Sequence, residues 1–343
     1  MATHLVTGGA GFLGSQTAYA LHARGETVRI LDLLQPPKSP PDVEFIRGSI
    51  LDRATVLEAM HGVDVVHHNA ALVPITKSGS GFWRVNVDGT QIALDTARKA
   101  GVKFFIYIST SAVFGIPASC PITDATPLEP VEEYGRSKLE GERRVQHSIT
   151  QGLRCSIVRP RTIVGPGRLG IFKVLYEWIS EGRRIYVIGD GNHGYQFVHA
   201  HDLLEFILLL TEQRKVGAYN IGAERFGTLR QDLTDLIRHA GTRARVVGTP
   251  TQPVVSVLRL LDILRLSPLA PWHYLTYHLP FYFDVSRPMR ELGWKPRYSN
   301  AETFAQSYDW YLAHGNEDDE NETRSIHRRA VKQGFLWLLK HIS

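Results

Sequence analysis

With 343 residues, 43% of them hydrophobic and 21% charged, the chain is long enough for one large or two modest domains and too apolar to be disordered. Thirty-nine basic residues against 34 acidic ones leave a net charge of +5 with no basic stripe before the tail, so no nucleic-acid partner is implied. No apolar run approaches the ~20 residues that span a bilayer, the first strand is expected from residue 3 with no room for a signal peptide before it, and Cys120 and Cys155 have neither metal-ligand nor disulfide-scaffold spacing; a cytoplasmic protein without a metal site is expected.

The first strand, ending in Leu5-Val6-Thr7, runs into Gly8-Gly-Ala-Gly11-Phe-Leu-Gly14 and then a helical stretch from Ser15 to Arg24. Such glycines suit a dinucleotide pyrophosphate: Gly8 permits the tight turn, Gly11 removes a Cβ from the ligand's path, and Gly14 lets the helix pack on its strand. The helix N-terminus adds free N–H groups for the phosphates. A second strand, Thr27 to Leu31, ends in Asp32, 18 residues after Gly14. A carboxylate there accepts both ribose hydroxyls and repels a 2′-phosphate, so NAD is expected over NADP.

A proline-rich loop over residues 35–41 precedes the short strand Val43 to Arg47 and the helix Arg53 to Met60, with Asp52 as its N-cap. The next strand, Val63 to Ala71, carries His67 and His68. Adjacent strand residues face opposite ways, so the pair is read as packing rather than as one metal site. The helix Phe82 to Lys99 and the strand Val102 to Ile108 continue the alternation. That order predicts a Rossmann-type doubly wound α/β fold, a parallel sheet covered on both faces, with ligands at the carboxyl ends of its strands.

Ser109, Thr110 and Ser111 lie at such an end, and Tyr134-Gly-Arg-Ser-Lys138 opens a helix running to about Ile149. Tyr134 and Lys138 are four apart and share a helix face. A phenol titrates near ~10, and a neighbouring ammonium favours its ionised form, so Lys138 is expected to draw Tyr134 toward acid/base work. Lys138 can also bond a nicotinamide ribose, and a hydroxyl of Thr110 or Ser111 would fix the substrate oxygen.

The segments Thr7 to Gly14, His68 to Ala71, Val85 to Thr90, Ser109 to Gly115, Tyr134 to Lys138 and Arg159-Pro160 with Gly165-Pro-Gly167 resemble the extended short-chain dehydrogenase/reductase superfamily, also called NAD-dependent epimerase/dehydratase. The resemblance covers roughly residues 3 to 313. It implies NAD as cofactor and Thr110, Tyr134 and Lys138 as the catalytic trio, with Tyr134 the acid/base and Ser111 a further candidate. Along the cofactor it places Gly8, Gly11, Phe12, Leu13, Gly14, Asp32, Ala70 and Ala71, with Tyr134 and Lys138. Ser49 and Ile50 would lie by the adenine, although Asp is commoner at the first of these; Pro160 and Ile163 would flank the nicotinamide. It also implies a homodimer seamed by helices 82–99 and 134–149.

Residues 1–165, with returning segments about 199–222, are read as the cofactor-binding core. Residues 166–198 and 223–314 form a smaller, mostly helical substrate lobe, in which the apolar stretch 254–266 is expected as a core helix. Look-alike dehydratases place Asp-Glu directly after the catalytic Thr. This chain has Ser111-Ala112, so dehydration is set aside. Epimerases carry a diphosphate-gripping Arg where this chain has Tyr195, though Arg161, Arg168 or Arg225 could substitute. Residues 254–279, leucine-rich with Trp272, Tyr274 and Tyr277, are similar to the 3β-hydroxysteroid dehydrogenase branch. The preferred expectation is therefore a dehydrogenase or ketoreductase acting on a secondary alcohol or ketone of a bulky apolar molecule. A nucleotide-sugar epimerase is the alternative, and a non-catalytic dinucleotide-binding regulator comes third because Tyr134 and Lys138 are both present.

After an acidic linker, 315–322, the tail 323–343 reads as a basic amphipathic helix with Val331, Phe335, Leu338, Leu339 and Ile342 on one face. Docking on the protein's own lobe or on a sister subunit is the favoured role. Shallow attachment to an anionic membrane surface is the second.

Overall fold

A computed structural model describes residues 1–36, 39–74, 78–264 and 271–315. Its first half alternates strand and helix except between β2 and β3, which a loop joins: β1 (Thr3–Thr7), α1 (Phe12–Ala23), β2 (Thr27–Asp32), β3 (Glu44–Arg47), α2 (Arg53–Met60) and β4 (Val65–His68). The helix expected over 82–99 is built in three parts, α3 (Gly81–Trp83), a π-type turn (Arg84–Gly89) and α4 (Thr90–Lys99). Then come β5 (Phe104–Ile108), a 3-10 turn (Ser111–Phe114), α5 (Glu133–Thr150), β6 (Cys155–Pro160) and β7 (Ile163–Val164). The remainder is α6 (Phe172–Ser180), β8 (Arg184–Ile188), β9 (Val198–His199), α7 (Ala200–Gln213), β10 (Gly217–Ile221), α8 (Leu229–Ala240), β11 (Arg245–Thr249), α9 (Thr251–Ile263), α10 (Pro271–Thr276), α11 (Ser286–Leu292) and α12 (Asn300–His314).

Seven strands form one sheet in the order β10-β6-β5-β4-β1-β2-β3, and every pairing in it is parallel. The chain works outward from β1 through β2 to β3, then crosses to β4 on the other side. That reversal opens a crevice between the carboxyl ends of β1 and β4, where open α/β sheets take their ligands. Strand alternation divides the core between the two faces: Phe104 and Ile106 of β5 join one apolar cluster, Phe105 and Tyr107 the other. All four are fully buried. This is the Rossmann-type doubly wound fold expected from the alternation of elements.

His67 and His68 do point to opposite faces. His68 sits between the hydroxyls of Thr7 and Thr90 at 2.9 and 3.1 Å, while His67 meets His4 at 3.1 Å. Among the described residues, no group of His, Cys, Asp and Glu is placed to hold a metal ion.

The second region differs from expectation in two places. Beside its helices lies a two-stranded parallel sheet of β8 and β11, where a mostly helical lobe is expected from the sequence. The apolar stretch expected as a core helix is α9, and only its Val255 and Leu258 are buried. Val257, Leu260 and Ile263 are 51%, 57% and 79% exposed. A helix that lies as a cover buries one side alone, and α9, which also carries Arg259 and Asp262, covers β8. The tail 323–343 lies outside the described residues.

Candidate active site

The glycine turn is shaped by close contacts. Gly8 has φ +68°, and a Cβ on it would stand 2.7 Å from the Ala70 nitrogen. A Cβ on Gly14 would fall 2.2 Å from the Gly8 carbonyl oxygen, so α1 cannot approach β1 this closely with any other residue there. At Gly11 a Cβ would meet only the Gly8 oxygen, at 3.1 Å. Gly9, not singled out from spacing, is held too, since a Cβ there would lie 2.5 Å from Ile30. The N-terminus of α1 has neither a side-chain cap nor an acidic residue in its first turn, so its donors stay available for an anion. At the tip of β2, Asp32 is fixed by accepting from the Ala10 and Leu34 amides at 2.9 and 3.1 Å. A Cβ-free approach, an uncapped helix start and an oriented carboxylate together fit a dinucleotide.

Across the crevice, the end of β5 and the start of α5 face each other. Glu132 caps α5 by accepting from the amides of Tyr134 and Gly135 at 3.1 and 2.9 Å. Tyr134 and Lys138 are both buried. The Tyr134 phenol is pushed up to about 12, first by burial; a hydrogen bond with Thr110 and the charge of Arg168 pull it down, and Glu132 pushes it up. The expected pull of Lys138 is replaced, because that amine turns beneath the cleft, donates to the Ile108 carbonyl at 2.6 Å and stands 4.1 Å over the Tyr107 ring. Burial draws its own pKa down to about 7, against the opposing pull of Glu142. The cation acting on the phenol is Arg168, which lies 5.4 Å over the Phe12 ring and donates to the Ile163 carbonyl.

Thr110, Tyr134, Lys138 and Arg168 line one cleft of about 240 Å³. Of the residues expected at the site, Gly8, Gly11, Phe12, Leu13, Gly14, Ala71, Thr110, Ser111, Tyr134, Lys138, Pro160 and Ile163 border it. Asp32, Ser49, Ile50 and Ala70 are outside that lining. Asp32 and Ala70 adjoin the glycine turn, whereas Ile50 packs into the core against Gly89 and Ser49 caps its own loop at Leu51. Arg161 and Arg168 both reach the cleft. Arg225 does not, being engaged with Arg297 and Glu302.

Three supports were not evident from spacing. Asn86, in the π-type turn, clamps both backbone groups of Leu72 at 2.8 and 3.1 Å and donates to Ser137. It thereby ties the loop after β4 to α5. Glu132 is the second. Beneath Lys138, Glu142 forms a two-pronged pair with Arg159 and also accepts from Ser109.

A second cavity, of about 610 Å³, adjoins the cleft and shares Ile171, Phe172 and Tyr277 with it. Its walls include Val174, Leu175 and Trp178 of α6, Val187 of β8, Leu233 of α8 and Leu258 of α9, and no charged side chain is among its described lining residues. Such a space suits an apolar molecule.

The profile described as the NAD dependent epimerase/dehydratase family matches residues 4–222. Protein y4nG of Sinorhizobium fredii is 43% identical over 99% of this chain and 86% of its own length. Sterol demethylase protein B of Methylococcus capsulatus is 30% identical over 91% and 99%, and UDP-glucose 4-epimerase of Mycolicibacterium smegmatis is 29% identical over 90% and 97%. Among solved structures, the dTDP-glucose 4,6-dehydratase DesIV from Streptomyces venezuelae, with NAD and TYD bound, superposes with a TM-score of 0.72 at 27% identity, covering 91% of this chain and 98% of that one. Relatives named as dehydratases are thus about as similar as those named as epimerases, and similarity does not separate the reactions.

Proposed function

The chain belongs to the NAD dependent epimerase/dehydratase family, and from that premise we propose that it is an NAD-dependent oxidoreductase acting on a secondary alcohol or ketone of a bulky apolar molecule. The observation that carries this reading is the 610 Å³ cavity, without a charged side chain among its described lining residues, that meets the cleft of Thr110 and Tyr134 at Ile171, Phe172 and Tyr277. A sugar nucleotide would gain little from such walls, and burying its polar groups there without partners would be costly. The similarity to sterol demethylase protein B points the same way.

In this reading Gly8, Gly11, Gly14, the start of α1 and Asp32 hold the dinucleotide. NAD bound there supplies the hydride acceptor or donor. Thr110 and Tyr134 hydrogen-bond the reacting oxygen, and the Tyr134 phenol moves its proton as C–OH and C=O interconvert. Lys138 fixes the ribose side, and the buried walls exclude water.

A nucleotide-sugar epimerase is the second reading, favoured by Arg161 and Arg168 at the cleft, which could grip a diphosphate. Dehydration, set aside on the sequence because Ser111 and Ala112 offer no acid pair, stays open beside them, since dTDP-glucose 4,6-dehydratases are among the similar proteins. Identifying the nucleotide released on denaturing the purified protein separates the first two. An empty protein that binds NAD reversibly supports the dehydrogenase, whereas stoichiometric NAD retained through purification supports the epimerase.

A homodimer seamed by α4 and α5 is part of the proposal, with cytoplasmic residence. Among the described residues no helix is long and apolar enough to cross a membrane. Any membrane contact would be peripheral, through the tail.

A further inference from the structure

Two arginines stand two residues apart at the end of β6, and only one has a carboxylate. Arg159 is neutralised by Glu142, its Nη2 donating at 2.6 Å. Arg161 is 1% exposed, yet among the described residues no carboxylate pairs with it. Its Nε donates to the Gln196 carbonyl at 2.9 Å, one terminal nitrogen donates to the Ser111 hydroxyl at 3.0 Å, and the other meets no carboxylate or carbonyl, its polar neighbour being the Tyr195 hydroxyl. The guanidinium lies 4.0 Å over the Phe281 ring and 4.9 Å over the Tyr195 ring. Ring faces return only part of the cost of taking a cation out of water. The acidic hydrogens nearby belong to Tyr195, Tyr277 and Cys120, and burial pushes all three groups up, which keeps them neutral. The unbalanced charge sits at the cleft wall beside Thr110 and Tyr134.

The direction of the Ser111 bond matters. Because Ser111 accepts from Arg161, its own hydroxyl proton is directed elsewhere and is strengthened as a donor by the charge behind it. Arg161 and Ser111 thus form a donor pair next to the groups that hold the reacting oxygen. A planar oxyanion matches that pair.

We propose that Arg161 and Ser111 form a carboxylate subsite, so that the substrate is an amphipathic hydroxy or keto acid with its apolar body in the large cavity and its carboxylate close to the carbon that changes oxidation state. This rests on the oxidoreductase reading for the identity of that carbon, but not for the binding of the anion.

The test uses the full chain with NADH bound and two probes, 3-hydroxydodecanoate and its methyl ester, with affinities measured by calorimetry. The acid should bind about tenfold or more tighter than the ester. Arg161→Met should shrink that preference to about threefold or less while ester affinity holds. Ser111→Ala, which keeps the guanidinium, should reduce it in the same direction and remains informative if Arg161→Met fails to fold. Equal affinity for the two probes, no measurable binding of either, or a preference that survives both substitutions would overturn the proposal. NADH formation from the acid and NAD is read separately. Arg161-dependent binding without that reaction leaves the subsite standing and overturns the oxidoreductase reading; equal turnover of acid and ester does the reverse.

Discussion

Lys138 illustrates how a residue chosen for chemistry strains its surroundings. Its amine is buried and titrates near 7 in the folded chain, against ~10.4 when unfolded. Between those values the unfolded state holds a proton that the folded state lacks, so this group makes stability rise with pH above about 7, at up to ~1.4 kcal/mol per pH unit. Cys155 and Tyr134, both raised to about 12 by burial, act in the opposite sense above about 9 and 10. Denaturant melts at pH 7, 8 and 9 should therefore show the wild type gaining stability and Lys138→Met gaining less; parallel curves would contradict the assignment. The spacing of Tyr134 and Lys138 on one helix face was legible in the sequence. The direction in which the lysine turns was not, because it depends on the Ile108 carbonyl from a strand 30 residues earlier. Arg161 and Arg168 were candidates in the sequence together with Arg225, but nothing there separated the two that reach the cleft from the one that does not, since an arginine in a loop shows neither its burial nor its partners.

At the scale of elements, α5 is the part on which the site depends. It carries Tyr134 and Lys138, is capped by Glu132, and is bolted to β6 by Glu142 and Arg159. Replacing Glu142 with Ala would leave Arg159 buried without its carboxylate, at a cost of about 3–5 kcal/mol. Thermal unfolding of Glu142→Ala should show that loss; a change within the range of a surface substitution would mean that the pair is not needed to hold the helix. Local pattern sufficed for the first half of the chain, where helices join most of the strands and a proline-rich loop joins β2 to β3. It failed for β11, whose partner β8 lies some 60 residues earlier, and for the π-type turn, whose purpose is Asn86 reaching Leu72.

Viewed whole, the molecule sets the cleft that holds Thr110, Tyr134 and Lys138 against a chamber with no charged side chain among its described lining residues, with Tyr277 and Phe172 at their junction. The stretch that forms α9 reads as core because it is apolar nearly all round, Arg259 and Asp262 excepted. Its position as an outer wall follows only from packing, which gives Leu258 to the chamber and leaves Leu260 and Ile263 outside. The claim that the chamber receives the substrate of a hydride transfer is tested most directly by following NADH formation from apolar secondary alcohols in the wild type, Tyr134→Phe and Leu258→Trp. The prediction is turnover by the wild type, a loss of about 10²–10⁴-fold in Tyr134→Phe, and a raised KM with little change in kcat in Leu258→Trp. Interconversion of sugar nucleotides that is indifferent to Leu258→Trp, with no oxidation of any apolar alcohol, would contradict it.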